Sequence, residues 1–368
     1  MSEEILVYVG SYAGDKGGGI YVYRMDPSTG ALEFTAKSEG VDNASFLTIG
    51  PQRRYLYAVN DTVPSADKPG GVVHAFSIAP GTGELTYLNQ QPSHGATPCH
   101  LTVDQTGRFV IVANYREVGG AGSVSVLPIQ DDGRLGEATE VIQHAGASAH
   151  PRRQTCSHPH SVTLDLSNRY AFVADLGIDK IMVYQLDLAQ GRLKPNDEPW
   201  VQVKAGAGPR HFAFHPTGRY AYLINELDNT LIAFAHDETR GALREIQRAP
   251  ALPAGFEGRS ACADVHVAPS GRFLYGSNRG HDSIVTYAIN EATGQLAYIG
   301  HEPTQGRTPR NFAIAPSGRF LLAANQDTNT IVTFRIDAQT GKLAATGHIL
   351  HVPKPMCVQM CRRSILLA

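Results

Sequence analysis

The stretch GPRHFAFHPTGRYAYLINEL, Gly208 to Leu227, carries an arginine and a histidine near one end, Arg210 and His211, and a carboxylate near the other, Glu226. A guanidinium grips carboxylates and phosphates through paired hydrogen bonds, and an imidazole or a carboxylate can take a proton from a reacting group or give one to it. The three side chains together suit a site that binds an anion and moves a proton beside it. They can act together only if the chain between them folds back, so the intervening elements decide the matter.

Those elements read as two strands around the tight turn at Pro216 to Arg219, and the unit recurs. PTGRYAYLIN has counterparts in QTGRFVIVAN, LSNRYAFVAD, PSGRFLYGSN, PSGRFLLAAN and the weaker PQRRYLYAVN. The turn arginines Arg54, Arg108, Arg169, Arg219, Arg272 and Arg319 are each followed six residues later by Asn60, Asn114, Asp175, Asn225, Asn278 or Asn325. A second turn, Gly-x-Leu, begins at Gly30, Gly83, Gly133, Gly191, Gly241, Gly294 and Gly341, with separations of 53, 50, 58, 50, 53 and 47 residues. Seven units of this length, rich in short Val, Ile, Tyr and Phe runs, are four-stranded blades. The first unit lacks its innermost strand, and KPMCVQM, Lys354 to Met360, aligns with GPRHFAF and supplies it. The sequence therefore predicts an all-β fold: one seven-bladed β-propeller domain over residues 1–368, its ring closed by a C-terminal strand that completes the first blade.

Composition narrows the partners. With 32 Lys and Arg against 34 Asp and Glu the formal net charge is −2, so no bulk field draws the chain to nucleic acid or to an anionic membrane. No run approaches the ~18 apolar residues of a membrane span, and MSEEILVYVG enters a strand-like run without a basic and then apolar leader. We expect a cytoplasmic protein with no nucleic-acid or membrane partner. The five cysteines are odd in number and lack CxxC spacing, which indicates neither a disulfide framework nor a zinc site.

Length variation falls on the loops that join the second strand to the third and the fourth to the next blade, so one face is the working face. On that face the start of each innermost strand meets the end of its neighbour. Aligned there, the entry positions are Ser45, Cys99, His160, Arg210, Ala263, Arg310 and Met356, followed by Phe46, His100, Ser161, His211, Asp264, Asn311 and Cys357. Turn arginines and the Asn or Asp six residues on occur throughout, which marks them as architecture. Arg210, Glu226, Arg279 and His160 break the repeat and are the candidate catalytic groups; His100, His211, Asp264, Arg310 and Asn311 are candidate substrate-binding groups. The longest connection, HAGASAHPRRQTCSHPH, places His144, His150 and His158 in an expected solvated lid without metal-ligand spacing. Neither a metal nor another cofactor is implied.

HPHSV, GPRHFAFHP, NEL and SNRG give the chain a close resemblance, over essentially its whole length, to the seven-bladed propeller lactonase family. In that family a histidine, two arginines and a glutamate at the channel mouth are the proposed active-site groups, and the matching positions here are His160, Arg210, Glu226 and Arg279. The resemblance implies metal-independent hydrolysis of a sugar lactone, 6-phosphogluconolactone first, with the arginines stabilising an oxyanion or clamping an anion and either His160 or Glu226 acting as base. The expected partner is a small anionic lactone or a dicarboxylate. Alternatives are a muconate-type lactonizing cycloisomerase, a calcium-dependent lactonase that uses Glu226, Asp264 and Asn311, and a non-catalytic interaction scaffold.

Overall fold

The computed structural model describes residues 4–13, 17–38, 40–60, 70–116 and 120–363. Twenty-eight strands form seven four-stranded antiparallel sheets. Blade 1 has the order β28-β1-β2-β3, with β28 spanning Pro355–Arg362 and β1 Ile5–Ser11, so the C-terminal strand does complete the first sheet. Blades 2 to 7 follow in chain order, each with its first strand innermost: β4 (Ala44–Ile49), β8 (Ala96–Val103), β12 (Pro159–Leu164), β16 (Pro209–Phe214), β20 (Ala261–Val267) and β24 (Pro309–Ile314). Each innermost strand touches the next, and β24 touches β28, which touches β4, so the ring closes. Most of the loop at Val63 to Gly71, and part of that at Arg116 to Gly122, lie outside the described residues.

The core is not one mass but seven layers, one between each pair of blades. Between blades 5 and 6, for example, Tyr222, Ile224 and Leu231 pack against Val265, Leu274 and Val285. The closing layer sets Val7, Val9 and Val358 of blade 1 on Phe320, Leu322 and Ile331 of blade 7. The sequence follows from this arrangement. A middle strand covered on both faces needs apolar residues at every position, and β17 (Tyr220–Asn225, YAYLIN) is buried throughout. Outermost strands such as β19 (Ala242–Pro250) mix charged and apolar residues because one face meets solvent.

The repeated turns lock neighbouring blades. The Arg169 guanidinium lies 5.5 Å from the Tyr170 ring and donates to the Glu238 carbonyl in the next blade at 2.7 Å. Arg319 repeats this across the closure, donating to the Pro27 carbonyl at 3.4 Å. The Gly-x-Leu glycine is the receiving surface. Gly241 has φ +62°, and a Cβ there would collide with the Tyr170 ring; Gly30, at φ +80°, meets Phe320 in the same way. Gly241→Ala therefore combines backbone strain with lost ring packing, and we expect about 1–3 kcal/mol of destabilisation, read as a lower urea midpoint.

Candidate active site

Every innermost strand starts with the same irregularity. In β16, Pro209 pairs with Asn225 and His211 with Ile224, so Arg210 is an extra residue without a partner across the ladder. His160 in β12 and Arg310 in β24 stand at the equivalent break, as do Cys99, Ser45 and Met356. In blade 6 the break spans Ala263 and Asp264. A bulge re-aims a side chain out of the strand's alternation, and here it turns six of these residues into the wall of one cavity of about 340 Å³. Glu226 and Arg279, from the ends of the adjacent strands, and Arg153, from the long connection, complete its charged side.

Glu226 is the hub. Its backbone N–H donates to the Gly208 carbonyl at 2.7 Å, which ties the end of β17 to the start of β16 and holds residues 210 and 226 together. Oε2 accepts from Arg210 Nε at 2.9 Å and lies 3.0 Å from Arg279 Nη2, while Oε1 accepts from Arg153 Nη2 at 2.5 Å. Backbone carbonyls aim two of these arginines: Arg210 Nη1 donates to Ala263, and Arg279 donates from Nε to Ala261 at 3.2 Å and from Nη2 to Cys262 at 3.0 Å. Burial alone would raise the Glu226 pKa, but Arg279, Arg210 and Arg153 outweigh it and hold the carboxyl well below its usual range. Burial, with Arg279 and Arg310 nearby, pushes Arg210 down to about 9, which leaves it charged at neutral pH. One expectation changes. A carboxylate committed to three guanidinium groups is a poor proton acceptor, so Glu226 fits the role of positioning group better than that of base.

His160 sits beside this cluster with Nε2 4.0 Å from Glu226 Oε2 and Nδ1 3.9 Å from Cys99 Sγ. The Tyr115 ring meets it edge-on at 5.6 Å. Burial first, then Arg210, His211 and Arg310, hold its pKa well below 6.5, so the imidazole is neutral and its lone pair is available at neutral pH.

The cavity also has neutral members in its wall. His211 and Asn311 line it and both bind Asp264 behind them, His211 Nδ1 at 2.7 Å and Asn311 Nδ2 at 2.6 Å. Burial and Arg210 push His211 down to about 4 against the pull of Asp264. Arg310 lines the cavity as well. Of the five residues expected to bind substrate, two fall outside the wall. Asp264 is enclosed by its donors, and His100, whose ring meets that of Phe46 with centroids 4.2 Å apart, is not part of the wall, so His211, Arg310 and Asn311 are the three that line the cavity.

The lid expectation is corrected. His144 is buried, with Nδ1 2.7 Å from Asp175 Oδ2 and Nε2 2.9 Å from the Tyr184 hydroxyl, and His158 is buried with its N–H donating to Asp175 Oδ1 at 2.7 Å. Gln154, also buried, donates to the Leu176 carbonyl at 2.8 Å. The connection is a pinned shelf, and it carries Arg153 to the site. Sequence reasoning missed Arg153; its one signal was two adjacent arginines, Arg152 and Arg153, in the segment that leads into His160. Among the described residues no cluster of His, Cys, Asp and Glu has the geometry to hold a metal ion.

With this geometry in hand, comparison with known proteins is decisive about kinship. The family model described as lactonase, 7-bladed beta-propeller, matches residues 6–360. The chain belongs to the seven-bladed β-propeller lactonase family. It is 37% identical over 305 residues to a protein of Bacillus subtilis named 6-phosphogluconolactonase, covering 83% of each chain. A protein of the same name from Formosa agariphila is 37% identical over 312 residues, 84% of this chain and 86% of that one. The solved structure of the Pseudomonas aeruginosa periplasmic gluconolactonase PpgL superposes with a TM-score of 0.92 at 35% identity, over 98% of this chain and 100% of that one. Two of these relatives are named for a phosphorylated lactone and the third for an unphosphorylated one, so kinship alone does not choose the substrate.

Two outcomes follow from the electrostatics. Glu226→Gln removes one member of a buried ion cluster and leaves guanidinium groups uncompensated, so the urea midpoint at pH 7 should fall by the equivalent of about 3–5 kcal/mol. The contribution of Glu226 is present above its unfolded pKa of ~4.3 and is lost only under strong acid, because its folded pKa is depressed. The histidines act in another window. His211, His160 and His100 are all held below 6.5 in the folded state, so between about pH 6.5 and 4 the unfolded chain binds more protons and stability falls as pH falls, by up to about 1.4 kcal/mol per unit per histidine. For His266 burial is outweighed by Asp264, which raises the pKa, so its contribution is lost as pH rises above about 6.5 and is level below that. A lower urea midpoint at pH 5 than at pH 7, with a shallower slope in His211→Asn, is the expected result.

Proposed function

We propose that the chain hydrolyses the ester bond of an anionic sugar lactone, 6-phosphogluconolactone first, without a metal. The observation that carries this reading is the charge of the cavity: Arg116, Arg153, Arg210, Arg279 and Arg310 line it against the single carboxylate of Glu226. Such an excess of guanidinium favours a substrate that brings its own negative charge, and fixed donors stabilise an oxyanion as it develops.

In this reading Arg210 and Arg279, aimed by Glu226 and by carbonyls of β20, stabilise the oxygen of the lactone carbonyl as it becomes an oxyanion. Neutral His160 takes a proton from a water as its oxygen bonds to the carbonyl carbon. Glu226, 4.0 Å away, stabilises the imidazolium formed. The tetrahedral intermediate collapses with cleavage of the bond to the ring oxygen, which receives that proton from His160, and a hydroxy acid leaves. Arg116, exposed, and Arg153, half-exposed, stand at the rim to hold the phosphate.

We extend the proposal to a reducing, cytoplasmic compartment, because all five cysteines are free; PpgL, by its name, works in the periplasm.

Hydrolysis of fresh 6-phosphogluconolactone and of gluconolactone, followed with and without EDTA, tests the reading. We expect turnover that resists EDTA, about 10²-fold or greater loss of kcat/KM in His160→Ala and Arg210→Ala, and in Arg153→Ala a larger rise of KM for the phosphorylated lactone than for the other. No acceleration over the spontaneous reaction, or turnover of a muconate-type diacid alone, would reject it.

A further inference from the structure

Asp264 receives donors on every side. Oδ1 accepts from His211 Nδ1 at 2.7 Å and from the Val265 N–H at 3.0 Å. Oδ2 accepts from Asn311 Nδ2 at 2.6 Å, His266 Nε2 at 2.9 Å and the Phe312 N–H at 3.3 Å. A carboxylate so surrounded is ionised and can only accept, so Nδ1 of His211 must carry its hydrogen. In neutral imidazole that leaves Nε2 as a bare lone pair.

This atom has nothing to accept from. His211 is 5% exposed, and its Nε2 is buried with no hydrogen-bond partner among the described residues. An orphaned buried acceptor is costly, and this one belongs to a ring that lines the cavity with Nδ1 turned away toward Asp264. The neighbouring groups do not compete for the role. Asn311 spends Nδ2 on Asp264 and Oδ1 on the Val358 N–H at 2.7 Å, and the rings of Phe46, His100 and His160 surround His211 at 5.9, 5.4 and 5.4 Å between centroids.

A lone pair in this position attracts a hydroxyl hydrogen and repels an oxyanion. We propose that His211 Nε2 accepts a hydrogen bond from a hydroxyl of the substrate, which makes His211 the specificity residue that distinguishes a polyhydroxylated lactone from an unhydroxylated lactone or a dicarboxylate. The division of labour is then by group: the guanidinium groups recognise negative charge, and His211 recognises a hydroxyl. A site built to bond a hydroxyl rejects the analogue that lacks it far more strongly than an apolar pocket does, since the protein group is then left unpaired.

The inference rests on the lactonase reading and is tested apart from it. kcat and KM are measured for glucono-δ-lactone and for unsubstituted δ-valerolactone with the wild-type protein, His211→Asn and His211→Phe. Asparagine keeps an N–H donor for Asp264 and withdraws the Nε2 acceptor; phenylalanine keeps the ring packing on Phe46 and His100, so one variant remains informative if the other fails to fold. The wild type should prefer the hydroxylated lactone, and each folded variant should lose at least about tenfold of that preference, mainly through KM. An equal loss of rate on both lactones would assign His211 to proton transfer or to structure and overturn the proposal, as would a preference retained in the variants. A wild-type protein that hydrolyses neither these lactones nor the phosphorylated one rejects the lactonase reading itself, and with it this inference.

Discussion

Burying a guanidinium is the constraint on which the rest of this molecule turns. Arg210 is 2% exposed and is the largest fully buried side chain among the described residues. A charge of that size removed from water is tolerable only with an ionic partner and hydrogen bonds in good geometry. Glu226 supplies the first and the Ala263 carbonyl one of the second, and Glu226 in turn is stable in that place because Arg279 and Arg153 share it. These groups come from blades 5 and 6 and from the connection that leads into blade 4. Nothing local holds blades 4, 5 and 6 at the spacing the cluster requires; that spacing comes from the interblade layers and from closure of the whole ring through β28. The charge cluster is thus a consequence of the closure, and ring-wide stability and site geometry cannot be separated.

The bulge at the head of each innermost strand explains how such a ring acquires chemistry without losing its fold. Within a strand, alternation dictates which residues face a neighbouring blade, and those positions must stay apolar. The extra residue is excused from the ladder and from alternation, so its identity is free. Around the ring it is Ser45, Cys99, His160, Arg210, Ala263, Arg310 and Met356, a set with no common chemistry. Blades 4, 5 and 7 put an imidazole and two guanidinium groups there, whereas blades 1 and 6 put apolar side chains, so charged and apolar members are interspersed around the cavity.

How much of this could be read beforehand follows from what repeats. The Gly-Arg and Gly-x-Leu turns recur because every blade must lock to the next, so the blade count, the innermost strands and the closing role of Lys354 to Met360 were legible from spacing alone. His160, Arg210, Glu226 and Arg279 stood out as departures from that repeat. Arg153 has no counterpart in another blade, and its position depends on a connection folded back by His144, Asp175 and Gln154, contacts distant in sequence and without periodicity. His100 and His211 occupy equivalent positions, yet only His211 reaches the cavity. His100 pairs instead with the Phe46 ring of the preceding blade, and no pattern within either strand encodes which way such a ring turns.

Two buried carboxylates stand near the channel mouth, and their opposite treatment sets the character of the site. Asp264 is enclosed by five donors from the protein, so its charge is absorbed before it reaches the cavity. Glu226 stays in the wall and is surrounded by guanidinium groups that it neutralises only in part. Had Asp264 faced the opening as well, two carboxylates would have offset much of the arginine field, and a cluster of oxygen ligands would have been nearer to a cation site than to an anion site. Turning Asp264 inward removes that charge from the cavity and converts it into an orientation, because the carboxylate fixes which nitrogen of His211 carries the hydrogen. The excess of guanidinium over carboxylate in the cavity wall and the bare Nε2 of His211 therefore have one physical origin, the enclosure of Asp264 behind His211 and Asn311.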